Sequence, residues 1–203
     1  MDAETSVPQE FVAVTDALRA ALPHTRPELV LAETRGPARL APHSFAVTAT
    51  VTRNEAEIAI GRLVLLHDPA GQAAWEGTYR IACFARADVD PEMATDPVLP
   101  EVTWSWLEEA LTEADADAAA LGGTVTVTRS SRFGALADAD PGDGAEDGGA
   151  GTESEVELRC SWSPRWDEEP ARHLRAFCSL LADVAGLPPD IPGVVSIASR
   201  TRR

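Results

Sequence analysis

The sequence contains no lysine; all 17 of its basic residues are arginines. P-loop nucleotide hydrolases, Schiff-base enzymes, enzymes with an S-x-x-K nucleophile and protein kinases each need a lysine at the reactive position. The composition therefore excludes these four classes of enzyme.

The chain also lacks long apolar runs and paired cysteines. No run approaches the roughly 18 to 20 apolar residues that a membrane-spanning helix needs, and the N-terminus lacks the layout of a signal peptide. Cys83, Cys160 and Cys178 are far apart in the sequence and show no C-x-x-C spacing. We therefore expect a cytoplasmic protein with no membrane partner, whose cysteines are small core residues rather than disulfides or metal ligands.

Positive charge is scarce, since 33 acidic residues give a formal net charge of −16. Such a field repels phosphate backbones and anionic lipids, so nucleic acid is excluded as a main partner. The arginines of the segment 200–203 are interpreted as a solvated end. The apolar fraction of 44% and the five tryptophans are typical of a folded protein, and we expect one domain over residues 9–190 with a tail at 191–203.

The first half of the chain predicts a helix followed by antiparallel strands. Apolar residues three and four positions apart predict a helix over Gln9–Leu22. Alternation of apolar and polar residues predicts the strands. The predicted strands are Glu28–Glu33, Ser44–Thr52, Glu57–Leu66 and Trp75–Arg86. Turn-forming residues between the last two predict a chain reversal at His67–Gly71.

The second half predicts two further helices around a pair of strands. After a proline-rich acidic loop at Asp88–Pro100, Thr103 is a plausible N-cap of a helix that Gly122 and Gly123 would end. Strands follow at Thr124–Arg129 and near 155–162, separated by a Gly- and acid-rich loop at 137–154 that we expect to be disordered. The last helix would begin near Asp167 and present an apolar stripe of Leu174, Phe177, Leu181 and Val184.

These elements predict an α+β fold. We expect an antiparallel sheet of five to six strands with helices packed on one face, in the order α-β-β-β(-β)-α-β-β-α.

No catalytic or metal-binding motif is present. The four histidines lack H-x-x-x-H or H-E-x-x-H spacing, and no G-x-S-x-G or dinucleotide-binding loop occurs. We therefore predict no catalytic residues, no metal site and no cofactor. The histidine beside a carboxylate at His67-Asp68 is better explained by turn chemistry than by a general base.

One surface nevertheless combines aromatic and acidic residues. Trp104 and Trp106 lie roughly 200° apart around a helix at about 100° per residue, so they cannot both face the same core. Tryptophan is enriched at binding hot spots. Carboxylates near the ends of the preceding strand could instead surround a cation or act as acid and base. The candidate partner or ligand surface comprises Trp75, Glu76, Asp88, Asp90, Glu92, Trp104 and Trp106.

Three strings resemble a known family. GRLVLLHDPAGQAAWEGTYR, ADVDPEMATDPVLPEVTWSWL and GLPP resemble an uncharacterised actinobacterial family, domain of unknown function 3000, over about Phe11 to Pro189. The resemblance implies an actinobacterial, cytoplasmic protein and carries over no activity or site residue. The element order also looks like that of small acidic secretion-chaperone-like proteins, which dimerise and hold partner segments.

Two functions remain open from the sequence. The first is a non-enzymatic protein-binding or adaptor module, chaperone-like, that uses the tryptophan and acidic surface and that could form a homodimer. The alternative is an enzyme or small-ligand-binding protein with an acidic, cation-binding pocket near Glu76, Asp88, Asp90 and Glu92.

Overall fold

The computed structural model describes residues 7–134, 152–165 and 169–189 of the chain. Six strands form one antiparallel sheet in the order β1-β2-β3-β4-β6-β5. The helices are α1 (Gln9–Ala21), α2 (Leu99–Glu113) and α3 (Ala171–Val184). The strands are β1 (Leu29–Thr34), β2 (His43–Arg53), β3 (Ala56–Gln72), β4 (Gly77–Asp88), β5 (Ala118–Ser131) and β6 (Thr152–Pro164). This arrangement confirms the predicted α+β fold.

The two faces of the sheet differ in what covers them. On β2, alternate residues such as Phe45, Val47 and Val51 are buried against the helices, as their period-two spacing predicts. We call this side the inner face. The opposite side, the outer face, carries residues such as Thr48 and Arg62, which are register partners on β2 and β3. The sequence pattern therefore separates a helix-covered core from an outer face, part of which is buried beneath Trp75.

Helix α3 forms the centre of the core. Its predicted stripe of Leu174, Phe177, Leu181 and Val184 is buried. Gly61 on β3 allows this close packing, because a Cβ atom at that position would lie 2.9 Å from the ring of Phe177.

The predicted turn at His67–Gly71 is wrong. Strand β3 continues to Gln72, and the chain reverses in the short 3-10 helix Ala73–Trp75. The Asp-Pro and Gly residues form an irregularity in the ladder between His67 and Gln72, where Asp68 accepts a hydrogen bond from the Ala70 backbone N–H at 3.0 Å. These residues do interrupt the regular ladder, but they form a bulge within the strand rather than a reversal of the chain.

The predicted start of α2 at Thr103 is also wrong. The helix begins at Leu99, with Pro100 in its first turn, where a missing N–H group has no cost. Asp96 accepts a hydrogen bond from the backbone N–H of Val98 just before it. Thr103 is buried inside the helix and donates its hydroxyl to the Leu99 carbonyl at 2.8 Å.

Gly122 and Gly123 do not end α2 as predicted. The helix ends at Glu113, and both glycines lie within β5, which begins at Ala118. A Cβ atom on Gly123 would lie 2.5 Å from the Arg159 carbonyl oxygen. This glycine therefore permits close approach of β5 to β6 rather than stopping a helix.

Helix α3 begins at Ala171, later than the predicted start near Asp167, and Pro170 precedes its first turn. Asp167 lies outside the described residues, as do 137–151 of the predicted loop 137–154 and the tail 191–203. The last three residues of that predicted loop, 152–154, belong to β6. Among the residues described here, no helix is long and apolar enough to cross a membrane.

Candidate functional site

The structure separates the predicted carboxylate cluster. Glu76 immediately precedes β4, whereas Asp88 is its last residue. At about 3.3 Å per residue, the two ends of this strand are roughly 35 Å apart. Glu76 therefore does not share a site with Asp88, Asp90 and Glu92.

Asp88 instead lies beside β6. It is the register partner of Glu155 and lines a depression of about 380 Å³ with Glu153 and hydroxyl-bearing residues. Asp90 and Glu92 are exposed in the connection to α2. The described part of the chain contains no group of three His, Cys, Asp or Glu side chains that could hold a metal ion.

Trp75 lies against the sheet rather than beside the other two tryptophans. Only 9% of its surface is exposed, and it packs on Ala46, Val64 and Leu66. These residues belong to the outer face, so Trp75 covers one end of that face.

Trp104 and Trp106 are both half-buried but have different surroundings. The indole N–H of Trp104 donates to a carboxylate oxygen of Glu108 at 3.0 Å on the same helix. Trp106 lines a groove between α2, α3 and the segment that follows α1. Both side chains pack against the same core cluster, so the prediction that they cannot face one core is wrong, and of the two it is Trp106 that lines the groove.

The groove that Trp106 lines has a volume of about 660 Å³. We call it the helix groove. Helix α2 contributes Trp106, Glu109 and Glu113, which are three and seven positions apart and therefore share a helix face. Helix α3 contributes apolar and polar residues. The lining residues from α3 are Leu174, Arg175, Cys178, Ser179, Ala182 and Asp183.

Acidic charge accumulates in the helix groove. Burial is the main cause that raises the pKa of Asp183 to about 6; the carboxylates of Glu113 and Glu109 contribute to this shift, and Arg26 opposes it. No side-chain hydrogen bond or salt bridge within the described residues satisfies these three carboxylates. A carboxyl group with a raised pKa in a concave surface is a functional-site indicator.

The two arginines of the helix groove are already engaged. Arg26 forms a salt bridge with Glu28 at 3.2 Å and donates to the Pro188 carbonyl at 3.1 Å. Arg175 lies 3.4 Å from a carboxylate oxygen of Glu169. The groove therefore presents negative charge that Arg26 offsets only in part.

Cys178 lies in the helix groove, but its thiol is not an activated nucleophile. Burial raises the pKa of its thiol to about 12, which suppresses the nucleophilic thiolate at neutral pH. Behind it, Cys83 and Cys160 are register partners on β4 and β6, and a hydrogen bond between them and burial hold the pKa of Cys83 well above its usual range. All three cysteines are free thiols, so they are packing residues here.

His67 does not pair with Asp68. Its Nε2 lies 3.2 Å from a carboxylate oxygen of Glu10, and its Nδ1 lies 3.2 Å from the Thr78 carbonyl oxygen. The ring is fully buried and stacks on Tyr79 and Phe11. These contacts fasten α1 to the sheet, and a ring without solvent exposure has no access to a substrate.

Part of the helix groove had a sequence signal. The spacing of Trp106, Glu109 and Glu113 places one aromatic and two acidic side chains on a common face. Asp183 and Cys178 gave no such signal, because their proximity depends on how α3 packs across α2. The candidate surface from the sequence therefore overlaps the groove only at Trp106.

The comparisons with known proteins identify a family and no activity. No curated protein and no solved structure gives a significant match to the chain. The sequence profile of the protein family of unknown function DUF3000 matches residues 7–195. The chain therefore belongs to the DUF3000 family.

Proposed function

We propose that this protein is a non-enzymatic protein-binding module and that the helix groove binds a basic, amphipathic segment of a partner. The observation that carries the proposal is the juxtaposition of Trp106 with three carboxylates that form no salt bridge within the described residues, Glu109, Glu113 and Asp183. A cation placed among them would lower the pKa of Asp183 and recover the free energy lost by crowding like charges.

The composition of the groove supports a peptide rather than a simple ion. Leu174, Cys178 and Trp106 supply apolar surface, while the carboxylates supply charge. A free cation would leave the apolar surface unused. A segment with both apolar and basic side chains would contact both parts, as amphipathic helices do in grooves.

Arginine is the basic residue that fits best. A guanidinium group can bind a carboxylate through two parallel hydrogen bonds and can also stack on an indole ring. The helix groove offers both partners, because Trp106 lies one helical turn from Glu109 and two from Glu113.

The proposal is tested by selecting a random-peptide phage library on the intact protein and measuring the affinities of enriched peptides by fluorescence polarisation. We expect enriched peptides to combine arginine or lysine with apolar residues. Trp106→Ala should weaken them at least about tenfold, which corresponds to about 1.4 kcal/mol and is typical of a hot-spot residue.

Trp104→Ala is the matched control, because it removes the same side chain two positions away on the same helix. Trp104 lies outside the residues that line the groove, so this variant should bind the selected peptides like the parent. Equal losses in the two variants would indicate general damage to α2, and unchanged binding by Trp106→Ala would contradict the proposal.

The enzyme alternative has less support from the geometry. Its four carboxylates, Glu76, Asp88, Asp90 and Glu92, are divided between the two ends of β4. Catalysis would also need a nucleophile or a base, and burial makes Cys178 a poor nucleophile because it opposes ionisation of the thiol. A thermal-shift screen with divalent metals and metabolites would favour the enzyme if a midpoint rose in an Asp88-dependent manner.

Cellular context and assembly also remain proposals. Three free cysteines, two of them adjacent across β4 and β6, support a reducing compartment such as the cytoplasm. The lysine-free composition supports an actinobacterial source. A homodimer is a further proposal, which analytical ultracentrifugation of the full chain would test.

A further inference from the structure

The outer face of the sheet carries a row of two arginines around an aromatic ring. Arg62 on β3, Phe84 on β4 and Arg159 on β6 are register partners. The two arginine Cα atoms are about 10 Å apart, which is two strand spacings. The guanidinium carbon of Arg159 lies 5.3 Å from the centre of the Phe84 ring.

Beside this row the outer face is shallow because its side chains are small. The neighbouring register row contains Val64, Ala82, Ser161 and Gly122. A Cβ atom added to Gly122 would meet nothing within 4 Å, so the space above it is open. Together the two rows line a trough of about 470 Å³.

Arg80 lies outside the residues that line the trough but contacts one of them, Ser161. It is on β4, four residues before Phe84, and therefore about 13 Å away along the strand. Its guanidinium donates to the hydroxyls of Ser161 and Ser163 at 2.7 and 3.2 Å. Burial lowers its pKa from the usual value, and the carboxylate of Glu76 offsets this only in part.

The arginines in and beside the trough are only partly neutralised by carboxylates, Glu157 at Arg159 and Glu76 near Arg80. Within the described chain, neither Arg62 nor Arg80 forms a salt bridge; Arg62 donates to the Arg35 carbonyl, and its Nε is buried without a partner. None of the described residues that line the trough carries a carboxylate. Arg159 is paired with Glu157 through contacts of 2.6 and 3.2 Å, but the Arg159 side chain is 66% exposed and is therefore accessible to a ligand.

We propose that the outer face binds an acidic, extended polypeptide segment with two carboxylates four positions apart and an apolar residue between them. In an extended chain such carboxylates are about 13 Å apart on one face, which matches the separation of Arg80 from the Arg62–Phe84–Arg159 row. One carboxylate would bind beside Phe84, the other at Arg80, and the apolar side chain would lie above Ala82.

The shape and charge of the trough favour a peptide over other anions. Its open, shallow form does not enclose a small molecule, whose sites usually bury most of the ligand surface. A nucleic acid strand would bring a regular array of phosphates to a chain of net charge −16, and the resulting repulsion grows with strand length. A short segment with two carboxylates limits that long-range cost while using bidentate Arg–carboxylate contacts.

This second site goes beyond the helix groove. The groove lies on the helix side and the trough on the opposite face of the sheet, so the two would bind segments of opposite charge independently. The protein would then act as an adaptor between an acidic and a basic segment.

The experiment measures binding of the intact protein to a fluorescein-labelled peptide with the core Glu-Ser-Leu-Ser-Glu, its Gln-Ser-Leu-Ser-Gln counterpart and a labelled oligothymidine. We expect saturable binding of the acidic peptide only. Arg62→Gln combined with Arg159→Gln should weaken it at least about tenfold, as expected when two charged contacts are lost.

The charge-matched control combines Arg39→Gln with Arg129→Gln, two exposed arginines outside the trough, and it should bind like the parent. If the Arg62 double variant does not fold, Arg159→Gln alone tests the same contact, because its side chain is largely exposed. Trp106→Ala should leave this binding unchanged, which separates the result from the helix groove. Tighter binding of oligothymidine, equal binding of the glutamine peptide, or loss in the control would overturn the proposal.

Discussion

The helix groove and the outer-face trough are opposite in charge and in the way each charge is held. In the groove, Glu109, Glu113 and Asp183 crowd together, and burial keeps the pKa of Asp183 near 6. At the trough, Arg80 is held by two serine hydroxyls and Arg62 by a backbone carbonyl. Each surface therefore groups residues of one charge sign, which opposite charges offset only in part: Arg26 in the groove, and Glu157 and Glu76 at the trough.

This contrast shows that the net charge of a protein does not describe the charge of its individual surfaces. A value of −16 describes the far field, which governs long-range attraction and repulsion. Recognition at contact distance depends on the groups within a few ångströms, because solvent and salt screen charges beyond about 8 to 10 Å. An acidic protein can therefore present an arginine-lined face.

The largest expected effect comes from a substitution in the core, which supports both the helix groove and the trough. Phe177 is fully buried between α3 and β3, and Phe177→Ala should lower the free energy of unfolding by about 3 to 5 kcal/mol through loss of contacts and creation of a cavity. Urea denaturation checks this value. Phe133, which is 75% exposed, provides the matched control, and Phe133→Ala should change stability little; similar losses in both would contradict the assigned core.

The next effect concerns the attachment of α3 to the sheet. His173 accepts a hydrogen bond at Nδ1 from the Trp162 indole N–H at 3.1 Å, and burial lowers its pKa to about 4. The stability contributed by neutral His173 is fully present above the unfolded-state pKa of about 6.5. It is lost as the pH falls toward 4, because the unfolded chain takes up the proton first. The loss attributable to this group should reach about 3 kcal/mol at about 1.4 kcal/mol per pH unit.

His173→Asn keeps an acceptor near the indole and removes the titration. Its unfolding free energy should be lower than that of the parent at pH 7, and the difference should shrink between pH 6.5 and 4. Parallel pH profiles for the two proteins would show that His173 does not carry this dependence.

A smaller effect distinguishes the groove from an ordinary solvated surface. The folded-state pKa of Asp183 is raised to about 6, so its stabilising contribution is present below the unfolded-state pKa and is lost as the pH rises through about 6. Asp183→Asn avoids that loss. We expect the variant to gain about 1 kcal/mol over the parent between pH 4 and pH 7, after allowing for solvent screening of a half-exposed group.

Thermal unfolding at both pH values measures that gain. Glu108→Gln serves as the control, since Glu108 is exposed outside the residues that line the groove, and its effect should not change with pH in this way. A pH-independent effect of Asp183→Asn would remove the evidence that the groove is electrostatically strained.

The smallest effect on stability is expected in the trough. Arg159→Gln removes an ion pair between the exposed Arg159 side chain and Glu157, and ion pairs at the surface contribute little to folding. The midpoint of thermal unfolding should stay unchanged while binding of the acidic peptide weakens. A large fall in the midpoint would mean that Arg159 is structural, and the trough would lose its argument as a binding surface.

The sequence predicts the fold well because the signals are local and periodic. Alternation in β2 and the stripe of α3 each indicate burial directly. The predicted boundaries of helices and strands were wrong where a glycine has a role other than ending an element. Gly71 lies in a strand irregularity rather than a turn, and Gly123 permits strand packing rather than ending a helix.

The candidate sites were harder to predict, since they depend on tertiary placement. Trp106 was identified from its opposition to Trp104, but Asp183 reaches the same groove from another helix. The trough depends on the register of β3, β4 and β6, and Arg159 is separated from Arg62 by nearly half of the chain. No spacing along the sequence encodes such a contact.

One measurement tests the central claim most directly: the affinity of a selected arginine-containing peptide for the parent, Trp106→Ala and Trp104→Ala at pH 5 and pH 7. The account predicts tighter binding at pH 7, when Asp183 is ionised, a loss of about tenfold in Trp106→Ala, and parental affinity in Trp104→Ala. Equal affinity at both pH values together with parental affinity in Trp106→Ala would contradict it.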